Sequence, residues 1–308
     1  MSMLRVFHRR RLACLSMAGV LTAALSACGL ASGSASEELD TVVVASSDFT
    51  EHALLGEIYA QAIEAKGVKV ERRLNVGARE AYMSAIQGDN PSINVLPEYL
   101  GLLLEYYQDQ PSAVGLDAVR ASVEDVLPKP LAILESSSAA DEDAFVTTSE
   151  TAQKYGLETL EDLAPVADQL VMGASAPSET RRAGLVGLRD EYGVEFKDFA
   201  TLDAAGPLSL KALLSDKVQI SIFYTTQSAV LENDLVVLED TKGITALGNV
   251  TPLIRSDVPH REDVEAALNA VSEALTTEEL TRMLKRVDVD KEPLETVAEE
   301  FLAEQGLA

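Results

Sequence analysis

Residues that commonly act as nucleophiles or general bases are scarce in this 308-residue chain, which has three histidines and two cysteines. A Ser/His/Asp arrangement would have to use His52 or His260, because His8 lies in a segment interpreted below as a leader. The sequence has no G-x-S-x-G, P-loop or H-E-x-x-H motif, and no Cys/His set suited to zinc. We therefore expect a protein that is not an enzyme and needs neither metal nor cofactor.

Paired carboxylates are the one catalytic alternative that the sequence leaves open. A glycosidase-like hydrolase or a lyase needs two acids roughly 5–10 Å apart in one pocket. Glu98 and Asp143 are the only pair that we single out, and we expect them to lack that geometry. The acidic run 141–143 is more typical of a solvated turn.

The charge of the chain excludes one class of partner. Acidic residues number 50 against 25 basic ones, which gives a formal net charge of −25. A surface of that sign repels phosphate backbones, so we expect no nucleic acid partner.

The N-terminal segment has the pattern of an export signal. Arg5 and the arginines at 9–11 precede an apolar run at 12–25, which is shorter than the ~20 residues a transmembrane helix needs. The run ends in Leu-Ser-Ala-Cys, which resembles the lipobox of bacterial lipoproteins, with Cys28 as the lipid site. The expected organisation is a signal peptide at 1–27 and a flexible Gly/Ala/Ser-rich tether at 28–40, with the protein held by lipid at the outer face of the cell membrane. An ordinary signal peptide with a cysteine nearby is the alternative.

Strand and helix signals alternate along the remaining chain, which predicts parallel α/β layers. Short apolar runs predict strands at 41–45, 68–74, 93–96, 170–173 and 218–223. Helices are predicted at 79–87 and 180–191, after a capping box at Asp48 and Glu51, after Pro207, and three times at the C-terminal end with Thr276 as one cap. Ligands of such sheets bind beyond the carboxyl ends of strands, so the loops at 46–49, 96–99 and 223–226 are where a site is expected.

Several motifs at those strand ends resemble one family, the osmoprotectant-binding proteins of ABC importers. Ala45 to Glu51 and Leu55 to Ala60 resemble the family's G-S-K-x-F-T-E-x-x-x-L-G-E-I-Y-A opening. Pro97 to Gly101 resembles P-E-Y-T-G, and Tyr224 to Gln227 resembles the aromatic-T-T-D segment. The segments at 235–240 and 249–252 resemble L-V-V-L-E-D and N-V-T-P. The likeness extends from about residue 42 to residue 306.

The resemblance implies a type II periplasmic-binding-protein fold. Each of two lobes would be a mostly parallel sheet flanked by helices, and two crossovers would join them. Lobe 1 would comprise 41–140 plus 226–308, and lobe 2 would comprise 141–225. The protein would be a monomer that captures a small solute and delivers it to an ABC permease.

The resemblance also implies the site residues. A quaternary ammonium cannot donate a hydrogen bond and is held by aromatic faces, at ~0.5–2 kcal/mol each. The expected solute-binding residues are Ser46, Ser47, Phe49, His52, Tyr99, Asp143, Phe145, Arg181, Tyr224 and Thr225. Tyr99, Phe145 and Tyr224 would supply rings, and Arg181 would grip a solute carboxylate.

Each of these residues has a structural alternative. The rings could pack in the core or at strand ends, Arg181 could be solvated, and Ser46 and Ser47 could satisfy backbone N–H groups at the start of the first helix.

The sequence also departs from the family pattern. Ser47 stands where the family has lysine, His52 replaces glutamine, and Gln227 replaces an acid. Only three rings match the family pattern, which leaves open a different solute that is larger or less cationic. A surface lipoprotein that does not take part in transport is the other alternative.

Overall fold

The structure is a computed structural model that describes residues 40–88, 91–108 and 112–308. The predicted signal peptide, Cys28 and nearly all of the predicted tether lie outside the described residues. The strands are β1 (Val42–Ala45), β2 (Val70–Arg73), β3 (Val95–Tyr99), β4 (Leu131–Ile133), β5 (Asp143–Thr148), β6 (Val171–Ala174), β7 (Asp198–Thr201), β8 (Ile220–Tyr224), β9 (Leu235–Val237) and β10 (Val250–Arg255).

The α-helices alternate with these strands until three helices close the chain. They are α1 (Thr50–Glu64), α2 (Arg79–Gln87), α3 (Leu100–Tyr107), α4 (Leu116–Val126), α5 (Ser149–Tyr155), α6 (Gly187–Tyr192), α7 (Pro207–Leu214), α8 (Ser228–Glu232), α9 (Arg261–Ala274), α10 (Thr277–Asp288) and α11 (Leu294–Glu304). The predicted helix at 79–87 is confirmed, as are Pro207 in a first turn and Thr276 as a cap that accepts from the N–H of Glu279.

Two five-stranded sheets confirm the predicted two-lobed α/β fold. The first has the order β2-β1-β3-β10-β4 and the second the order β7-β6-β8-β5-β9. In each sheet four strands run in one direction and one strand, β10 or β5, runs against its neighbours. These two antiparallel strands are the ones that receive the chain after it crosses between the sheets.

Helix α1 is the centre of the first lobe. Its apolar residues at helical spacing, such as Leu54, Ile58 and Ile63, are fully buried. The helix packs between strand β1 and the C-terminal helices α9, α10 and α11, so its apolar surface is covered on nearly all sides. This burial fixes the start of α1, and therefore the loop after β1, relative to the sheet.

The start of α1 differs from the prediction. Phe49 is the N-cap residue, and no side chain caps the helix. The predicted capping box of Asp48 with Glu51 is therefore wrong. Glu51 turns instead toward the hydroxyl of Tyr99, which donates to its Oε1 atom at 2.6 Å.

The second lobe boundary also needs correction. The prediction ended lobe 2 at residue 225, but β9 pairs with β5 in the second sheet at Leu235–Val237. The pairing satisfies edge hydrogen-bonding groups of β5 that would otherwise be exposed. The crossing back to the first sheet therefore falls between β9 and β10, at 238–249.

The two crossovers run side by side and are hydrogen-bonded to each other. Ala140 and Asn249 form a bridge, and the Asp141 N–H donates to the Gly248 carbonyl at 3.0 Å. The backbones approach so closely that a Cβ at Gly248 would stand 1.9 Å from the Asp141 carbonyl oxygen. Only glycine fits this point of contact between the crossovers.

Gly248→Ala is expected to destabilise the fold by about 2 kcal/mol, because the added methyl forces the crossovers apart. Urea unfolding measures this change. Gly67→Ala is the control, since Gly67 has a positive φ but nothing within 4 Å of an added Cβ, and it should cost about 1 kcal/mol. A Gly248→Ala variant as stable as the parent protein would contradict the close approach.

Candidate functional site

The carboxyl ends of β1, β3 and β8 place their loops on the cleft between the lobes. Because β5 is antiparallel to β8, its first residue Asp143 lies opposite the last residue of β8, Tyr224. The first crossover, which carries Asp141, therefore lies near the ends of strands from both sheets.

Four rings cluster on the first lobe's side of the cleft. The ring centroids of Phe49 and Tyr99 are 6.3 Å apart at an interplanar angle of 21°. His52 lies 5.2 Å from Phe49, 5.9 Å from Tyr99 and 5.8 Å from Tyr82. Tyr99 is 4% exposed and Phe49 is 44% exposed, so the cluster is open to solvent at Phe49.

A buried carboxyl group, that of Glu51, and a half-buried one, that of Asp141, lie next to this ring cluster. The Tyr99 hydroxyl donates to Glu51, and the Thr226 hydroxyl donates to Oδ1 of Asp141 at 2.9 Å. Burial and the nearby Asp141 charge raise the pKa of Glu51 to about 8. Burial also raises the pKa of Asp141. The pKa of Tyr99 lies well above its usual range, first because of burial and then because of Glu51.

A second set of polar groups belongs to the other lobe. Burial raises the pKa of Asp143, and the Arg181 guanidinium partly opposes that rise. Burial raises the pKa of Tyr224, and the charges of Asp143 and Asp141 raise it further. Asp143 and Tyr224 lie opposite each other on β5 and β8, and the charge of Arg181 lowers the pKa of both. Tyr224 is 43% exposed, so its ring is accessible.

Asp141 connects the two sets. Its charge contributes to the raised pKa of Tyr99 in one lobe and of Tyr224 in the other. The structure thus brings together Phe49, His52 and Tyr99 on one side, and Asp143, Arg181 and Tyr224 on the other.

Phe145 lies in a different environment from Tyr99. It is 1% exposed and belongs to the core of the second lobe, where it pairs with Ile222. The residue nevertheless lines a cavity of about 380 Å³ that Asp143 also lines. Its solute-binding role stays a prediction, with the core as its main environment.

Three of the predicted polar residues hold backbone in place. The Ser46 hydroxyl accepts from the Asn75 N–H at 2.9 Å. The Ser47 N–H donates to Nδ1 of His52 at 2.8 Å. The Thr225 hydroxyl donates to the Ala140 carbonyl at 2.5 Å and thereby ties β8 to the first crossover. Their contribution to a site is therefore to position the loops around it.

Two cavities lie near the ring and carboxyl groups. The 380 Å³ cavity lies between the start of α3, the loop before α4, and the second crossover, and its charged lining includes Glu105, Glu142 and Arg182. A cavity of about 410 Å³ lies between the start of α1 and helices α8 and α10, and Glu51 and Thr226 line it. Either cavity is large enough for a small solute.

The candidate acid pair does not have the chemistry of a hydrolase site. Glu98 is fully buried, and Arg79 donates to both of its oxygens at 3.1 Å. The Tyr82 hydroxyl and the Tyr99 N–H donate to the same carboxylate at 2.7 and 3.0 Å. A carboxylate with four donors is held as a structural ion and is poorly suited to exchanging protons with a substrate.

His52 is buried as a neutral imidazole. Burial lowers its pKa to about 3, and the Arg79 charge contributes, while the Pro97 carbonyl opposes the shift. A histidine whose pKa falls on folding favours the folded state above its unfolded pKa of about 6.5, and this stability is lost as pH falls toward 3.

His52→Gln should therefore reduce the acid sensitivity of folding. Between pH 7 and pH 5 the parent protein should lose about 2 kcal/mol more free energy of unfolding than the variant. Urea titrations at the two pH values measure the difference. His260→Gln, which removes an exposed histidine outside the cleft, is the control. Equal losses in the parent and in His52→Gln would contradict a neutral buried His52.

Among the described residues, no helix is both long and apolar enough to cross a membrane. Within the same residues, no three or more His, Cys, Asp or Glu side chains are arranged to hold a metal ion.

Two lobes, each with one antiparallel strand that follows a crossover, and a polar cleft between them define a solute-binding protein of the periplasmic-binding class. A family model described as the substrate binding domain of an ABC-type glycine betaine transport system matches residues 40–304. The chain belongs to this family, which is a family of transport binding proteins and not a class of enzyme.

Curated relatives and solved structures agree with that assignment. The chain is 25% identical to a glycine-betaine-binding protein of Pseudomonas aeruginosa, over 96% of this chain and 94% of the relative. It is 24% identical to the carnitine transport binding protein OpuCC of Listeria monocytogenes, over 90% and 91%. The fold matches a crystal structure described as a glycine betaine/carnitine/choline ABC transporter, at a TM-score of 0.76 and 24% identity, over 86% of this chain and 99% of the other.

One relative is a longer protein. The chain is 25% identical to the ergothioneine transport permease/ergothioneine binding protein EgtU of Helicobacter pylori, and the match covers 86% of this chain. It spans about half, 48%, of that relative. Binding proteins of ABC importers act outside the cytoplasm with permease subunits and bind small solutes.

Glu51, Asp141 and Thr226 were missing from the predicted site. Glu51 lies in the F-T-E motif, but a capping role was assigned to it. Asp141 was assigned to a solvated acidic turn. Burial of these carboxyls depends on contacts between segments about 90 residues apart, which local patterns do not reveal.

Proposed function

We propose that the protein captures a small solute with a quaternary ammonium head group, of the glycine betaine, choline and carnitine class, and delivers it to an ABC permease. The observation that supports this most is the side-by-side arrangement of the Tyr99 and Phe49 rings with the carboxyl groups of Glu51 and Asp141. Ring faces and carboxylates attract a cation, and the rings require no hydrogen-bond donor from it. The names of the Pseudomonas and Listeria relatives give the same solute class.

Arg181 and Asp143 would act on the remainder of the solute. The guanidinium of Arg181 can bind a carboxylate, as in betaine or carnitine, but Asp143 competes for it. With Ser47 in the position of a lysine, the site has one cation fewer for a carboxylate. A larger zwitterion is the second candidate, because the 380 Å³ cavity next to Asp143 can accommodate more than a trimethylammonium group.

Isothermal titration of the tether-free body with glycine betaine, choline, carnitine and ectoine tests the solute class. We expect saturable 1:1 binding of at least one of them. Absence of heat with all four, while ergothioneine binds, would favour the second candidate. Absence of binding to all five would contradict a solute-binding cleft of this kind and favour a surface lipoprotein that does not transport.

The proposal includes an anchor and a tether. A lipid on Cys28 would hold the protein at the outer face of the membrane, and residues 28–40 would let a monomeric body reach the permease. Mass spectrometry of the mature N-terminus should find a lipid-modified Cys28, and Cys28→Ser should release the protein from membranes. Light scattering of the body should give the mass of one chain. An unmodified mature N-terminus would contradict the anchor.

A further inference from the structure

The carboxyl groups of Glu51 and Asp141, called the carboxyl pair below, lie close together at the start of α1. Glu51 lies in the first turn of α1, Asp141 on the first crossover, and Thr226 two residues after β8. The Thr226 hydroxyl donates to Asp141 Oδ1 at 2.9 Å, and Thr226 and Glu51 line the same cavity. Three segments from the two lobes and their connection therefore converge on this pair.

Each member of the carboxyl pair has a neutral hydroxyl group as its hydrogen-bond donor. A threonine hydroxyl has a single proton, and Thr226 donates it to Asp141. The donor to Glu51 is the Tyr99 hydroxyl. If both carboxyls were ionised, two negative charges would lie close together without a cation between them.

The surroundings supply no cation to the carboxyl pair. Tyr99 from β3 is a neutral donor, while Asp143 beyond the crossover and Asp288 from α10 add negative charge. Lys285 lies on α10 near this cavity, but its Nζ atom pairs with Glu232 at 2.5 Å. Among the described residues, neither member of the pair forms a salt bridge with a Lys, Arg or His side chain.

The remaining nearby cations are directed elsewhere. Arg181 acts on Asp143, and Arg79 is bound by Glu98. His52, the residue after Glu51, accepts a hydrogen bond from Ser47 and is buried as a neutral ring. Burial and mutual repulsion both favour the protonated form of one carboxyl. The raised pKa of each member agrees with this conclusion.

We propose that the carboxyl pair shares one proton in the ligand-free protein, and that the trimethylammonium head of an incoming solute displaces it. This inference rests on the proposed function, which places that head group beside the Tyr99 ring. The O–H bond of the shared carboxyl breaks, the proton passes to the buffer, and the carboxylate formed faces the cation. Solute capture is thereby coupled to proton release.

The coupling makes affinity depend on pH in a defined direction. Binding that releases one proton becomes more favourable as pH rises, by about tenfold per pH unit, until the ligand-free pair is itself ionised. Glu51→Gln keeps the size and hydrogen-bonding capacity of the side chain but cannot release a proton. We expect this variant to change its affinity less than about twofold per pH unit.

Titration calorimetry with choline and with glycine betaine, each in phosphate and in ACES buffer at pH 6 and pH 7, counts the protons released. We expect close to one proton per bound solute in the parent protein and close to none in Glu51→Gln. Glu57→Gln is the matched control on the same helix, because Glu57 is paired with Arg72 at 2.8 Å, and it should release protons like the parent.

The outcomes separate this inference from the proposed function. Binding without proton release would overturn the inference and leave the solute class intact, whereas failure of both solutes to bind would contradict both. Infrared spectra of the ligand-free protein add a test that needs no solute. A protonated-carboxyl band at pH 6 that is lost in Glu51→Gln or Asp141→Asn would support the shared proton, and absence of that band in the parent would overturn it.

Discussion

Tyr99→Ala is expected to weaken solute binding by about 100-fold or more, because it removes the buried ring face next to the carboxyl pair. A desolvated cation–π contact contributes about 2 kcal/mol, and loss of packing against Phe49 adds to it. Titration calorimetry well below the melting temperature measures the loss on folded protein.

Two variants show whether the ring itself is responsible. Tyr99→Phe keeps the ring and loses only the hydroxyl that donates to Glu51, so its loss should stay within about tenfold. Tyr106→Ala removes a tyrosine that is exposed on α3, and its affinity should match that of the parent. Tyr99→Ala with an affinity within about threefold of the parent would mean that the solute does not contact this ring.

Glu98→Ala is expected to reduce the free energy of unfolding by about 3–5 kcal/mol, because it breaks a buried ion pair and leaves Arg79 without its carboxylate. The same substitution removes acceptors for Tyr82 and for the Tyr99 N–H. Urea unfolding at pH 7 measures the change.

Glu71→Ala is the control for Glu98→Ala, because it breaks an ion pair that is exposed. Glu71 binds Arg73 at 2.7 Å, and both side chains are largely exposed, so its removal should cost less than about 1 kcal/mol. An equal loss of unfolding free energy in Glu98→Ala and Glu71→Ala would contradict the description of Glu98 as a structural ion. A role for Glu98 in proton exchange with a substrate would then have to be considered again.

Regular elements with strong local patterns could be predicted from the sequence. The apolar run of β1 and the helical spacing of α1 and α2 require only neighbours along the chain. The strands β4 and β9 are three residues long, and they are strands because β10 and β5 present unpaired edges to them. That pairing is non-local, which is why the second lobe boundary was placed too early.

The same distinction applies to the site. Tyr99 and Tyr224 were identified because they lie in short motifs at strand ends. The role of Glu98 depends on Arg79, a partner 19 residues earlier, and the hydroxyl that binds Glu51 belongs to Tyr99, 48 residues later. A motif shows that a residue is at the cleft, but the contacts across the fold decide which side chains are ionised, neutral or structural.

A single-tryptophan reporter tests the central claim, that the solute binds between the lobes at the ring cluster. The chain contains no tryptophan, so Phe49→Trp introduces one fluorophore at the open side of the cluster. Leu208→Trp, at an exposed position on α7 in the second lobe, is the control. Glycine betaine, choline, carnitine and ectoine should include at least one solute that changes the Phe49→Trp emission saturably and leaves Leu208→Trp unchanged. No change at Phe49→Trp with a solute that calorimetry shows to bind would contradict a site at these rings.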